Sequence, residues 1–303
     1  VLRYAIQSVL WQSFQDFELL IIGDGCTDDS AEVVASFSDS RLHWHNLPRN
    51  SGSQSAPNNR GLELARGAYI AYLGHDDVWH PTHLGALVRA MRETGADLAY
   101  TLAVMIGPAG SGVRILTGVS PDGTYHPPVG IPPSSLMHRR ELVREIGGWK
   151  DFRSLTIPPD LEIVLRAHQA GRRFTPVPEL TVWKFNSAWR PGSYVQKPCH
   201  EQAECVRRIR EEPDFRYREA VEIAAAYVLQ RVKSPTDVPI PRPLEELPRG
   251  WLVEQWRRVR GLEPLNLEEA PPLRAPPAPG RQDREKPRTL LRWMSKRRTR
   301  PAR

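Results

Sequence analysis

Three cysteines in 303 residues, Cys26, Cys199 and Cys205, are too few and too irregularly spaced to form a disulfide framework, and they point to a reducing, cytoplasmic setting. Cys199, His200 and Cys205 lack the second ligand pair that a structural zinc site needs. Long apolar runs are also missing. The longest candidate, residues 96–107, falls short of the ~20 residues that cross a bilayer, and the first residues carry no signal-peptide pattern. Charge of one sign is scarce in most of the chain. The formal charge is +7, but ten basic and two acidic residues between Arg281 and Arg303 carry +8 of it and leave −1 on the other 280 residues. A neutral body excludes a broad nucleic-acid surface, and no specific nucleic-acid partner is expected. A methionine at position 1 is absent as well. Val1 opens in the middle of a helical pattern, so the chain is expected to continue upstream.

A hydrophobic content of 40% is enough for a packed core. The apolar spacing of Tyr4, Ile6, Val9, Leu10 and Phe14 predicts a helix ending near residues 14–16. A short apolar strand follows over residues 17–22, then a glycine- and acid-rich loop over 23–29, a helix over 30–37 and a strand over 41–45. This is the strand–helix–strand rhythm of a parallel sheet. Residues 50–59 form a polar loop whose small side chains let backbone approach a ligand. Helices are predicted over 82–94, 141–146 and 160–170, a strand over 96–106, and a hairpin with an exposed loop within 107–133. After Pro235 the recurring prolines do not support a core.

The most informative stretch is Leu73–Trp79, LGHDDVW, at the end of an apolar strand over 68–73. In open α/β sheets ligands bind outside the carboxyl ends of strands, so Asp76 and Asp77 are placed to hold a hard divalent ion that bridges to phosphate. The same two acids could instead form a turn that caps the helix starting near Pro81. The residues alone leave both readings open.

Five segments in order then point further: IIGDGCTDDS (residues 21–30), the stretch over 50–67, AYLGHDDVW (71–79), SSLMHRRELVREIGGW (134–149) and PDLEIVLRAHQAG (159–171). Together they resemble the family 2 glycosyltransferases, over roughly residues 1–190. The resemblance implies an α/β GT-A (Rossmann-like) fold with a mostly parallel mixed sheet over 1–190; beyond it, residue pattern and composition predict a helical extension over 191–234 and a Pro-rich, basic, disordered tail over 235–303. It implies an inverting, metal-dependent transfer of a sugar from a UDP-, dTDP- or GDP-sugar to a glycan, lipid-linked or small-molecule acceptor. Asp24, Asn59 and Asp76 would bind the donor. Asp76 and Asp77 would hold Mn2+ or Mg2+, Asp160 would be the catalytic base, and Trp149 would line the acceptor pocket. His138 is expected to be structural, and Arg166 to orient an acid. Substituting either Asp76 or Asp77 is expected to abolish transfer with the fold intact.

The sequence departs from the family at Gly23 and Gly74, which stand where leading acids are usual, and at Asn58, where an arginine often stands. The family's first strand is expected to lie upstream of Val1. The competing expectations are a weakened or inactive GT-A-like binding protein and a nucleotidyltransferase on a related fold. The latter usually carries a glycine-rich phosphate loop with Arg or Lys, and none is visible. A third feature, Leu290, Leu291, Trp293 and Met294 among arginines, suggests peripheral contact of the tail with an anionic membrane.

Overall fold

The computed structural model describes residues 1–127, 129–233, 243 and 246–265. The basic tail and its expected membrane contact lie outside the described residues.

The chain opens with α1 (Leu2–Leu10), then β1 (Leu19–Gly23), α2 (Ser30–Ala35), β2 (Leu42–Asn46) and α3 (Ser55–Leu64). Next come β3 (Tyr69–Ala71), β4 (Val78–Trp79), α4 (His83–Thr94), β5 (Leu98–Ile106) and β6 (Arg114–Thr117). β7 (Leu136–Arg139), α5 (Arg140–Glu145), α6 (Pro159–Gln169) and β8 (Phe174–Lys184) complete the central layer. The remaining helices are α7 (Ser193–Gln196), α8 (His200–Glu211), α9 (Phe215–Val228) and α10 (Trp251–Val259).

β1 and β2 pair in parallel as a two-stranded sheet, and the larger sheet runs β3-β7-β5-β8-β4 with β6 on the far part of β5. The mixed α/β character agrees with the sequence, and parallel and antiparallel ladders stand side by side. Four of the six strand pairings among the described residues are antiparallel. The reason is local: residues 107–113 turn β5 back on itself as β6, and β7 runs against both β3 and β5. Short reversals make antiparallel pairs, whereas parallel pairs need a crossover.

The core is packed from both sides of this sheet. α4 presents Leu84, Leu87, Val88 and Met91 on one face and ends on Gly95, whose φ of 61° supplies the left-handed cap. On the opposite side, Leu142, Val143, Ile163 and Val164 from α5 and α6 cover Leu98, Tyr100 and Leu136. β5 has eight of nine residues apolar and is almost entirely buried, as expected for a strand covered on both faces.

Two stretches differ from expectation. β8 crosses a segment with Pro176 and Pro178, and its pairing with β5 shifts register between Thr101 and Ala103 to accommodate it. In the region expected to be disordered, residues 251–259 form a helix. α10 buries Leu252, Val253 and Arg257, and it is tied down where Gly250 N–H donates to Leu155 O (2.8 Å) and Gly192 N–H donates to Val259 O (2.9 Å). No described helix is long and apolar enough to cross a membrane.

Two buried histidines set an acid limit on this core. His83 stacks on Trp79 at 4.3 Å and bonds Thr181 Oγ1, and burial lowers its pKa from 6.5 to about 3. His138 is fully buried too, and burial lowers it to about 4. The unfolded chain therefore binds more protons than the folded one between these values and 6.5. The stabilisation is complete above pH 6.5 and is lost as pH falls through about 4 and 3. A loss on the order of 3 kcal/mol per histidine is expected across that window. Urea titrations at pH 7 and pH 4.5 would measure it, and His83→Gln should flatten the dependence. Equal unfolding midpoints at the two pH values would contradict it.

Candidate active site

The acids at the end of β3 diverge despite being adjacent. β4 pairs antiparallel with β8 through Val78 opposite Trp183, so Asp77 falls opposite Lys184. Asp77 is fully buried. Its Oδ2 accepts from Ser134 Oγ (2.5 Å) and Lys184 Nζ (3.1 Å), and its Oδ1 accepts from the Phe185 N–H (3.2 Å). Ser134 Oγ in turn accepts from the Gly74 N–H. Burial pushes the Asp77 carboxyl up, and Lys184 chiefly opposes that. Burial would lower the Lys184 ammonium, but Asp77 and Asp76 together hold it raised.

Asp76 is only partly buried, and among the described residues its carboxylate accepts from nothing but its own backbone N–H. Burial alone would raise it, yet the nearby positive charges of His75, Lys184 and Arg260 hold it below the ordinary 3.8. The ring of His75 meets Tyr194 edge-on at 5.2 Å, and the Arg260 guanidinium lies 5.3 Å from the centre of the same tyrosine ring.

Asp160 stands at the second position of α6, after Pro158 and Pro159, and the helix start has no side-chain cap. Its carboxylate therefore faces open N–H groups, its own and that of Leu161. Burial nevertheless raises its pKa, against those two N–H groups and the charges of Lys184 and Arg260. Asp76, Asp77 and Asp160 thus come together around Lys184. Their arrangement is one anchored acid, one ionised acid with free oxygens, and one acid whose proton affinity is raised.

Asp24 follows β1 and faces the 49–53 loop. Its Oδ1 accepts from the Ser51 N–H (2.9 Å), and Asn50 Nδ2 donates to its backbone O (2.9 Å). Gly25 makes this contact possible. At φ 69°, a Cβ there would lie 2.3 Å from backbone atoms of Arg49 and Asn50. Burial raises Asp24, and the N–H of Ser51 leads the opposing contacts. Arg257 reaches the same loop, donating to Asn50 Oδ1 (3.3 Å) and Gly52 O (3.4 Å).

Two expected donor or acceptor residues are placed elsewhere. Asn59 clamps the backbone of Trp149, donating to its O and accepting from its N–H, both at 2.9 Å. Trp149 is 3% exposed and packs in the core among Leu142, Val143 and Ile163. Its Nε1–H donates to Tyr72 Oη (3.1 Å), Tyr72 O–H points to His138 Nε2 (2.8 Å), and His138 Nδ1 bonds Arg139 O (2.6 Å). This chain satisfies every polar end of three buried rings, which is why His138 is structural. Arg166 does orient an acid, but it is Glu162 (2.8 Å) and not Asp160.

An all-protein metal cage is absent: among the described residues, no group of three or more His, Cys, Asp or Glu side chains is arranged to hold an ion. A magnesium-like ion often needs only one or two carboxylates when substrate phosphates and water supply the rest, and Asp76 offers free oxygens for that role. Asp77 does not fit as a ligand, because both its oxygens are engaged out of reach of solvent.

The helix-flanked mixed sheet with its acids at the strand ends defines a GT-A-type α/β protein. Structures of S. aureus TarS 1-349, free and with UDP-GlcNAc, share the fold at 18% identity and TM-score 0.52, covering 85% of this chain and 77% of TarS 1-349. Residues 1–119 match the model of Glycosyl transferase family 2. Relatives include the uncharacterized glycosyltransferase YibD of Escherichia coli, 32% identical over 97 residues (32% of this chain, 28% of YibD). The putative teichuronic acid biosynthesis glycosyltransferase TuaG of Bacillus subtilis is 34% identical over 98 residues (32% of this chain, 38% of TuaG). The match spans well under half of either relative's length.

Proposed function

We propose that the protein is an inverting glycosyltransferase that moves a sugar from a nucleotide-sugar donor to an acceptor hydroxyl. The observation that carries this reading is the carboxylate of Asp160 at the start of α6, raised in proton affinity by burial and sharing one electrostatic neighbourhood with Asp76, Lys184 and Arg260. Asp160 removes the acceptor proton as the acceptor oxygen attacks the anomeric carbon from the face opposite the leaving group. Asp24 and the 49–53 loop hold the nucleoside, with a carboxylate oxygen available to an imide N–H. Asp76, with the donor's phosphates, would hold Mg2+ or Mn2+, and a bound ion would supply Lewis-acid neutralisation of the leaving diphosphate. UDP-sugars are the first donors to test, because TarS of the same fold binds UDP-GlcNAc. The name of TuaG favours a glycan-type acceptor.

The test is a panel of UDP-, dTDP- and GDP-sugars with acceptor glycans and Mg2+ or Mn2+, read as release of nucleoside diphosphate and as anomeric configuration of the product by NMR. At least one donor is expected to give acceptor-dependent release with inverted product. Retention of configuration would remove Asp160 as the base. No release from any donor, with no rise in Tm on adding nucleotide and metal, would overturn the reading.

A further inference from the structure

Arg260, the residue after α10, lies outside the family-matched residues 1–119, yet its charge acts on Asp76 and Asp160. Its Nε donates to Ser187 Oγ (2.9 Å) and its guanidinium rests on Tyr194, whose ring in turn meets His75, the neighbour of Asp76. Among the described residues the two terminal nitrogens of Arg260 have no hydrogen-bond acceptor, so the planar fork is free. Lys184 is similar: one of its three donors is spent on Asp77 and the others are unassigned. The positions of both cations are fixed from below. Lys184 is locked by the β4–β8 register. Arg260 is locked by the backbone, because its carbonyl accepts from the Tyr194 N–H (3.2 Å) and Val259 O accepts from the Gly192 N–H. One turn earlier in the chain, Arg257 is 6% exposed and ties α10 to Asn50 and Gly52. Leu265 presses on Gly52 closely enough that a Cβ there would lie 2.0 Å from it. α10 is thus a strap between the loop that carries Asp24's partner and the centre that carries Asp76 and Asp160.

We propose that Lys184 and the free guanidinium fork of Arg260 bind the diphosphate of the donor and take up the charge that develops on the leaving nucleoside diphosphate, making α10 part of the active site. This rests on the glycosyl-transfer reading. In the step, the bond between the anomeric carbon and the β-phosphate oxygen breaks and its electron pair stays on that oxygen. The new bond forms from the acceptor oxygen, whose proton goes to Asp160. Lys184 and Arg260 donate hydrogen bonds to the phosphate oxygens and transfer no proton. A guanidinium matches two phosphate oxygens at once, which an ammonium cannot do.

Calorimetric titration of the full chain with UDP, dTDP, GDP, UMP and inorganic pyrophosphate tests this without requiring turnover. Arg260→Gln is expected to weaken nucleoside diphosphate and pyrophosphate binding about 10- to 100-fold while changing UMP binding less than about twofold. Arg260→Lys should recover part of the loss, and Arg258→Gln, an exposed charge on the same helix, should change nothing. Unchanged Tm in Arg260→Gln would show that the strap remains docked. If the wild-type chain binds nucleoside diphosphate and Arg260→Gln binds it equally well, or loses UMP to the same degree, the proposal fails and the glycosyl-transfer reading stands. If the wild-type chain binds neither any of the diphosphates nor pyrophosphate, both fall.

Discussion

Asp160→Asn is expected to slow sugar transfer by about 10²- to 10⁴-fold, the range general-base catalysis contributes, while nucleotide affinity stays within about twofold of wild type. The substitution keeps the side chain's shape at the second position of α6, and it removes a carboxylate that burial disfavours. Tm should therefore hold or rise. The pH profile carries a second readout. The base acts only when ionised, and burial raises its pKa above the ordinary 3.8, so the acid limb of the wild-type rate should lie above that value and vanish in Asp160→Asn. Single-turnover measurements with the best donor from the panel would separate this from slow product release. Full activity in Asp160→Asn, or an unchanged acid limb, would move the base elsewhere.

What could be read from the sequence was the placement of elements set by short-range pattern. The 23–29 loop, the acids after β3 and the Asp160 helix start each follow an apolar run and a turn signal, and the fold places all three as expected. What could not be read depended on partners far along the chain. Asp76 and Asp77 look equivalent in sequence, and only the pairing of β4 with β8 turns Asp77 into the buried partner of Lys184. Lys184 itself was missed because Pro176 and Pro178 mask an eleven-residue strand, although Val177, Thr181, Val182 and Trp183 carried a β signal. Motif position points Asn59 and Trp149 at the ligand site, whereas the fold uses half-buried Asn59 to fix the backbone of Trp149, 90 residues away, through two hydrogen bonds.

The same reasoning explains why α10 was hidden. Prolines at 239, 241, 243, 248 and 264 surround it, and composition over a long window reads as non-folding. Within the window, Gly250 followed by Trp251, Leu252, Val253 and Trp256 has helical spacing, and the pair Arg257 and Arg260 lies one turn apart. A shorter window would have found the helix. No window would have found that its arginines face Asp24 on one side and Asp76 on the other, because that placement comes from the backbone bonds to Leu155, Gly192 and Tyr194.

Asp77→Ala should destabilise the fold by about 3 kcal/mol or more, whereas Asp76→Ala should leave stability nearly unchanged. The contrast follows from what each carboxylate touches. Removing Asp77 leaves the Lys184 ammonium, the Ser134 hydroxyl and the Phe185 N–H without their acceptor at a position 0% exposed to solvent. For a chain of this size the loss corresponds to a fall in Tm of roughly 6–12 °C. Among the described residues Asp76 accepts no hydrogen bond from another residue, so its removal loses only attraction to nearby cations such as Lys184 and Arg260, costs the fold far less, and is expected to appear as weaker binding of nucleoside diphosphate with Mg2+ or Mn2+. A double-mutant cycle isolates the cause. Asp77→Ala combined with Lys184→Met removes both charges and should recover most of the lost stability, since the penalty comes from an uncompensated buried charge and not from the missing side-chain volume. If the double variant is no more stable than Asp77→Ala alone, the ion pair does not hold this end of the sheet. If Asp76→Ala proves as destabilising as Asp77→Ala, the division of labour between the two acids is wrong.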